Sequence, residues 1–179
     1  MDYNKTINLP KTDFPMRAGL PKREPEMLQE MYDHDLYHKM VKRNGGKPTF
    51  VLHDGPPYAN GNIHIGTALN KILKDMIVKH RNMTGWCAPY VPGWDTHGLP
   101  VELGVEKKLG ITKEDIGTKI SIEEYNRPCR EAVMEFTGAW EDLTRKMGYW
   151  VNMDDPYITY DNKYIETLWW LLKQLFDKG

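Results

Sequence analysis

The sequence has few cysteines, no long apolar run and almost no net charge, and each of these features excludes a class of protein. Its two cysteines, Cys87 and Cys129, lie far apart without Cys-x-x-Cys or Cys/His ligand spacing, which predicts reduced thiols and no zinc site. No stretch approaches the about 18 apolar residues of a membrane span, and none resembles a signal peptide, so we expect a cytoplasmic protein without a membrane partner. A formal net charge of -1 gives the chain no overall positive field, so any contact with nucleic acid must come from local positively charged patches.

The apolar residues that are present predict a folded α/β domain. They make up 40% of 179 residues, enough for a hydrophobic core. Residues 49–53 and 86–91 are short apolar runs, and 67–83 between them carries the i, i+3, i+4, i+7 spacing of a helix face. A crossover of this length indicates a βαβ unit, whose two strands should be parallel.

The rest of the chain is predicted to be an extended arm and a set of helices. Residues 1–25 contain four prolines and indicate the arm, and a helix follows from about Glu26 to Val41. Ser121 begins a helix that Pro128 should interrupt before it continues to Gly148, and Asp161 caps a last helix that ends at Gly179. We expect both apolar stripes of these helices in the core: Val133, Phe136, Trp140, Leu143 and Met147, and Ile165, Leu168, Trp169, Leu172 and Leu175.

These elements predict two regions and a chain that is part of something larger. Residues 1–48 are expected to form an N-terminal arm and helix that pack on a body formed by residues 49–179. Two strands make a small sheet for the number of helices that it must cover. We therefore expect a fragment of a longer domain.

The run Gly-Pro-Pro-Tyr-Ala-Asn-Gly-Asn-Ile-His-Ile-Gly at 55–66 is the first chemical motif. It leaves the first predicted strand and enters the helix, which places His64 beside the free backbone N–H groups of a helix N-terminus. Unpaired donors and partial positive charge suit a phosphate. The motif therefore predicts a nucleotide site.

The run Pro-Gly-Trp-Asp-Thr-His-Gly-Leu-Pro-Val-Glu at 92–102 is the second motif, directly after the second predicted strand. Ligands of open parallel sheets bind beyond the carboxyl ends of the strands, so the two loops should form one site. Asp95 could anchor a ligand ammonium, with Trp94 and His97 as pocket walls. The alternative is that Asp95 caps the following turn and His97 pairs with a backbone carbonyl.

Together these motifs resemble the N-terminal part of the bacterial-type isoleucyl-tRNA synthetases. The run at 8–16 and the Trp169-Trp170 helix are also similar to that family. The resemblance implies a partial class I catalytic domain of Rossmann type, with parallel strands, flanking helices and an extended N-terminal arm. It further implies a cytoplasmic, monomeric parent enzyme that activates L-isoleucine with ATP and Mg²⁺ and transfers it to tRNA(Ile).

The resemblance also assigns the site residues. His64 would contact the ATP phosphates and stabilise the transition state, with Thr67 as the second catalytic position, and Asp95 would hold the substrate ammonium. The ATP site is expected to comprise Gly55, Tyr58, Asn60, His64, Gly66, Thr67 and Asn70. The amino-acid site is expected to comprise Gly55, Pro56, Pro57, Trp94, Asp95 and His97.

Two departures from the family limit what the resemblance implies. The signature His-Ile-Gly-His reads His-Ile-Gly-Thr here, so at Thr67 a hydroxyl replaces an imidazole that can carry positive charge. We interpret Thr67 as a tolerated replacement, with a loss-of-function substitution as the alternative. The Lys-Met-Ser-Lys-Ser loop, the editing domain, the anticodon-binding helices and the C-terminal zinc module of the family are absent from the sequence, so this chain alone should be inactive.

Two other functions stay open from the sequence. A stand-alone module could bind a nucleotide or RNA without turnover. A small nucleotidyltransferase with a His-x-Gly-His loop would fit the length, but its loop should follow an N-terminal first strand, and 48 residues precede the predicted strand here.

Overall fold

The computed structural model describes residues 3–8, 13 and 19–179. They belong to two compact units, Met1–His34 and Asp35–Gly179. Eleven of the 25 residues of the predicted arm, and most of the family-like run at 8–16, lie outside the described residues. The boundary expected after residue 48 stays a prediction.

The smaller unit contains a 3₁₀ helix at Tyr3–Thr6 and helix α1 at Leu20–Asp33. The prediction that this helix begins near Glu26 was wrong. Its Pro21 lies in the first turn, where the missing N–H would have had no partner, so helix formation costs little there. The prediction that it continues to Val41 was also wrong, because Asp35 adopts the left-handed conformation, with φ 47°, and separates α1 from the next helix.

The larger unit is a mixed α/β structure with a parallel strand pair. Its helices are α2 (Leu36–Asn44), α3 (Ile65–Met83), α4 (Leu99–Leu109), α5 (Ile122–Met134), α6 (Thr137–Lys146) and α7 (Asn162–Lys178), with a 3₁₀ turn at Lys113–Asp115. Strands β1 (Gly93–Trp94) and β2 (Tyr157–Ile158) are parallel, with Gly93 opposite Tyr157 and Trp94 opposite Ile158. The predicted fold class is confirmed. In the part of the chain that the structure describes, no helix is long and apolar enough to cross a membrane.

The two predicted strands meet in a single parallel bridge between Thr49 and Cys87. The backbone N–H of Phe50 donates to Cys87 O at 3.0 Å, and Cys87 N–H donates to Pro48 O at 2.9 Å. Their parallel pairing is confirmed, but the regular strands over 49–53 and 86–91 were wrong. Pro89 has no N–H for the next bond of the ladder, which therefore stops after Cys87.

The caps of α5 and α7 lie where the sequence predicts them, at Ser121 and Asp161. Ser121 accepts a hydrogen bond from Glu124 N at 3.2 Å, and the Glu124 carboxylate accepts one from Ser121 N at 3.0 Å. The predicted interruption at Pro128 was wrong, because Pro128 lies inside α5. The chain instead breaks at Phe136, whose side chain packs on the core.

Two tryptophans form the centre of the core. Trp94 and Trp140 are buried with Ala59, and their rings meet edge to face with centroids 6.4 Å apart. Trp140 Nε1 donates to Gly61 O at 2.6 Å. The first motif is thereby attached to α6.

Two fully buried asparagines connect α2 with the end of α3. Asn44 Nδ2 donates to Asn82 O at 2.8 Å. Asn82 Nδ2 donates to Ala88 O at 2.7 Å, and its Oδ1 accepts from Ala88 N at 3.1 Å. Because buried amides are stable only when paired, these bonds fix the segment that leads to the second motif.

The apolar stripe of α7 is exposed, contrary to the prediction that it lies in the core. Leu168, Trp169, Leu172 and Leu175 are between 46% and 66% exposed, whereas Val133 and Trp140 of the other stripe are buried as expected. The exposed face of α3 is likewise apolar. A two-stranded sheet offers too little apolar surface to cover both helices. The described residues leave these faces uncovered.

Candidate functional site

A cavity of 440 Å³ lies in the larger unit where the two motifs meet. Its walls come from the first motif, the start of α3, the segment before and within β1, and α6 with the residues that follow it. Nine predicted site residues line it: Gly55, Pro56, Pro57, Tyr58, His64, Gly66, Thr67, Asn70 and Trp94. Asn60, Asp95 and His97 are not among its lining residues.

A backbone hydrogen bond joins the two motifs directly. Asp95 N–H donates to Pro57 O at 2.9 Å. Trp94, next in the chain, is buried beneath the cavity. At Gly93 a Cβ would overlap the Tyr157 ring, so only glycine permits this approach of β2 to β1. The predicted meeting of the two loops is confirmed.

His64 caps helix α3 with its own side chain. The ring Nδ1 accepts hydrogen bonds from the backbone N–H of Gly66 at 3.1 Å and of Thr67 at 3.3 Å. With Nδ1 as the acceptor, the ring proton lies on Nε2, which is 3.1 Å from Thr67 Oγ1. The expectation of free N–H groups at this helix start was wrong, because the imidazole occupies two of them.

Gly66 makes this cap possible. A Cβ at this position would lie 3.1 Å from both Cε1 and Nδ1 of the His64 ring, a closer contact than most Cβ atoms make. A Cβ at position 66 would require the ring to shift by a few tenths of an ångström. Gly66 therefore sets the position of the imidazole.

One face of α3 presents polar side chains to the cavity. Thr67, Asn70, Lys71 and Lys74 line it, at the i, i+3, i+4, i+7 spacing of a single helix face. The inward face of α3 is thus polar, whereas the inward face of a helix that packs on a core is usually apolar. The cavity thus receives two lysines that the sequence analysis did not single out, because lysines on a helix usually lie on its solvated face.

Lys74 is held by a carboxylate. Its Nζ donates to both Asp54 oxygens, at 2.7 and 2.8 Å, and the Tyr90 hydroxyl donates to Asp54 Oδ2 at 2.6 Å. Partial burial would raise the pKa of Asp54, but the hydrogen bonds from Lys74 and Tyr90 outweigh it and the pKa is lowered. Asp54 directly follows the first predicted strand, and this position is the signal that could have identified it.

Lys71 lies against an aromatic ring instead. Its Nζ is 4.8 Å from the Tyr149 ring centroid, and Tyr149 packs edge to face on Tyr90 with centroids 5.5 Å apart. Burial lowers the pKa of Lys71, and the nearby charge of Lys74 lowers it further. Burial also raises the pKa of Tyr149 to about 12, so its ring is neutral at physiological pH.

Of the predicted residues outside the cavity lining, Asp95 makes a local contact and His97 makes a long-range one. Asp95 Oδ1 accepts from His97 N at 3.3 Å, which is the turn cap that the sequence left as the alternative. His97 Nδ1 lies 3.1 Å from Thr159 Oγ1, a hydroxyl rather than a backbone carbonyl. Asn60 is exposed at the tip of the first motif.

The cavity has the chemistry of a site for an anionic ligand with an apolar part. Two ammonium groups and a helix start face aromatic walls. Among residues 3–8, 13 and 19–179 there is no cluster of three or more His, Cys, Asp or Glu side chains that could hold a metal ion.

The chain is similar to the N-terminal portions of curated isoleucine–tRNA ligases. That of Porphyromonas gingivalis is 56% identical over 160 residues, which cover 89% of this chain and 14% of the relative. That of Bacteroides fragilis is 54% identical with the same coverage, and that of Desulfitobacterium hafniense is 49% identical over 92% of this chain and 17% of the relative. The chain thus spans 14 to 17% of the length of these relatives.

A solved structure shares the fold. The LeuRS of Agrobacterium radiobacter K84, in a ternary complex with tRNA and LeuAMS, superposes with a TM-score of 0.58 at 19% identity, over 88% of this chain and 18% of that one. The family described as tRNA synthetases class I (I, L, M and V) matches residues 26–179. The chain therefore belongs to the class I tRNA synthetases of the I, L, M and V group.

Proposed function

We propose that this chain is the N-terminal segment of the catalytic domain of an isoleucine–tRNA ligase. The whole enzyme would activate L-isoleucine with ATP and transfer it to tRNA(Ile). The observation that carries the proposal is the cavity at which both motifs meet, with Asp95 N–H bonded to Pro57 O and His64 at the start of α3. Three relatives at 49 to 56% identity with that name support the choice of amino acid.

In this proposal the start of α3 binds ATP. The isoleucine carboxylate attacks the α-phosphorus, the bond to the leaving pyrophosphate breaks, and isoleucyl adenylate forms. On binding, Nε2–H of His64 would exchange its contact with Thr67 Oγ1 for a phosphate oxygen, and the Thr67 hydroxyl would donate to another, so that both stabilise the charge that develops there. Gly55, Tyr58, Asn60, Gly66 and Asn70 would complete the nucleotide site. ATP would bring Mg²⁺, which is bound through phosphates and water rather than by a protein cage.

The second motif would bind the amino acid. Gly55, Pro56, Pro57 and Trp94 would form the side-chain pocket. Asp95 would hold the ammonium group, and His97 would close one wall. Asp95 is half-buried and its Oδ1 already accepts from His97 N, so the same carboxylate would have to keep this turn and hold the ammonium.

The proposal extends to the setting of the enzyme. The whole protein would be a cytoplasmic monomer with tRNA(Ile) as its macromolecular substrate. The 179 residues alone would be inactive, because the Lys-Met-Ser-Lys-Ser loop of the family does not occur in this sequence. Positioning of the phosphates supplies much of the rate in this kind of reaction.

Amino-acid-dependent exchange of pyrophosphate into ATP tests this function. The longer native gene product should catalyse exchange with the highest kcat/KM for isoleucine among isoleucine, valine, leucine and methionine. Residues 1–179 measured in parallel should give none. A preference for leucine or methionine would show that the proposed amino acid is wrong and the proposed reaction right. No exchange with any of the four amino acids would reject the proposal.

A further inference from the structure

We propose that Lys71 binds the polyphosphate of ATP in this cavity and supplies the positive charge that Thr67 cannot carry. This inference rests on the proposed function, since it takes ATP as the ligand. It names a substrate-binding residue outside the two sequence motifs.

The position of Lys71 on α3 is the first argument. Lys71 lies four residues after Thr67, one turn further along the same helix face, and both line the cavity. The N-terminal turn, with His64 and Thr67, would hold one end of a phosphate chain. A lysine stem is long enough to reach a neighbouring phosphate from the next turn, and an ammonium binds phosphate as a point charge.

The contacts of Lys71 are the second argument. Lys74 is neutralised by Asp54, with both carboxylate oxygens within 2.8 Å of its Nζ. Lys71 forms no ion pair with a carboxylate among the described residues and lies over the Tyr149 ring. The cavity therefore contains one ammonium that is paired with a carboxylate and one that contacts an aromatic ring and has no carboxylate within ion-pair distance.

The electrostatic cost of this arrangement is the third argument. A half-buried cation without an ion-pair partner is unfavourable. Burial and then the charge of Lys74 lower the pKa of Lys71, and they outweigh the opposite effect of the Asp54 and Asp75 carboxylates. A phosphate in the cavity would compensate the charge. It would be held by a group that already faces it, so little rearrangement would be needed on binding.

Titration calorimetry of the 179-residue chain with ATP and with AMP tests the inference. Lys71→Met keeps the aliphatic stem over Tyr149 and removes the charge, and Lys71→Arg keeps the charge. Lys108→Met, on the exposed face of α4, is the matched control. Circular dichroism and urea unfolding establish that each variant is folded.

We expect Lys71→Met to lower the affinity for ATP about tenfold or more, because a charge-assisted hydrogen bond to phosphate is lost. The affinity for AMP, which has one phosphate, should fall far less. Lys71→Arg should retain most of the affinity, and Lys108→Met all of it. The inference would be overturned by any of three results: Lys71→Met and Lys108→Met have equal effects, Lys71→Met lowers the affinities for ATP and AMP equally, or the wild-type chain binds no ATP.

A double-mutant cycle tests the link to position 67. If Lys71 replaces the charge of a missing imidazole, Thr67→His should restore ATP affinity in the Lys71→Met background more than it raises it in the wild type. Additive effects would contradict the link. The exchange assay of the longer gene product is independent of these outcomes, so the proposed function can stand when this inference fails.

Discussion

Nε2 of His64 lies 3.1 Å from Oγ1 of Thr67, while Nδ1 of the same ring accepts from the backbone N–H groups of Gly66 and Thr67. The imidazole is thus fixed on both sides by the first turn of the helix that it caps. A hydroxyl at position 67 completes this arrangement by accepting from Nε2. The replacement of an imidazole by Thr67 therefore has a structural role that the sequence did not reveal.

Replacing Gly66 should expose the cost of moving the ring. Gly66→Ala places a Cβ 3.1 Å from the imidazole, whereas Gly104→Ala, inside α4, meets no atom within 4 Å. Gly104→Ala should raise the free energy of unfolding by up to about 1 kcal/mol through helix propensity. The gain in free energy of unfolding for Gly66→Ala should be smaller than that for Gly104→Ala by about 1 kcal/mol, because the cap by His64 is lost. Urea unfolding measures both, and equal stabilisation would show that the ring does not move.

Asp54 predicts a pH dependence of stability. Its pKa is lowered in the folded chain, so its contribution is present above the ordinary carboxylate range and is lost as the pH falls through the folded pKa. The difference in free energy of unfolding between wild type and Asp54→Asn should therefore shrink as the pH falls below about 4. Lys74→Met, which removes the partner, should show the same trend. A difference that stays constant from pH 6 to 3 would contradict the ion pair.

Local signals in the sequence predicted the elements that depend on local bonds. The Ser121 cap needs only Glu124, three residues away, and both are visible in the sequence. Strand pairing depends on distant residues: β1 pairs with Tyr157–Ile158, more than 60 residues later by the numbering, and the Thr49–Cys87 bridge ends where Pro89 lacks a donor. Helical periodicity correctly indicated an amphipathic α7, but no periodicity shows what covers an apolar face.

The parts of the site that lie directly after the two predicted strands could be predicted from the sequence. Both motif loops were expected to meet, and they do. The side chains deeper in the cavity were missed, because Lys71, Lys74 and Tyr149 each have an ordinary position in the sequence. Their proximity arises from the packing of α3 against the segments that precede β1 and β2.

Asn82 should be among the most sensitive positions for stability. Its buried side-chain amide donates to Val78 O and Ala88 O and accepts from Ala88 N, while its backbone carbonyl accepts from Asn44 Nδ2. Asn82→Ala leaves several buried groups unpaired, each at a cost of about 1 to 3 kcal/mol. We expect a loss of about 3 kcal/mol or more in urea unfolding. A loss below about 1 kcal/mol would mean that water replaces these bonds.

Asp95 can be tested by separating its charge from its turn-capping bond. Asp95→Asn keeps an oxygen that can accept from His97 N, and Asp95→Ala removes it. If Asp95 holds the isoleucine ammonium, both variants of the longer enzyme should raise the KM for isoleucine, with a loss of about 2 to 5 kcal/mol for Asp95→Ala. Wild-type kinetics in Asp95→Asn would assign Asp95 to the turn alone.

The most direct test of the central claim compares His64 and Thr67 in isoleucine-dependent ATP–pyrophosphate exchange by the longer gene product. His64→Ala should lower kcat/KM by about a hundredfold or more, because a transition-state contact is lost. Thr67→His should change it only modestly, because the hydroxyl already serves the site. A nearly silent His64→Ala together with a large gain from Thr67→His would contradict the account and identify Thr67 as an inactivating substitution.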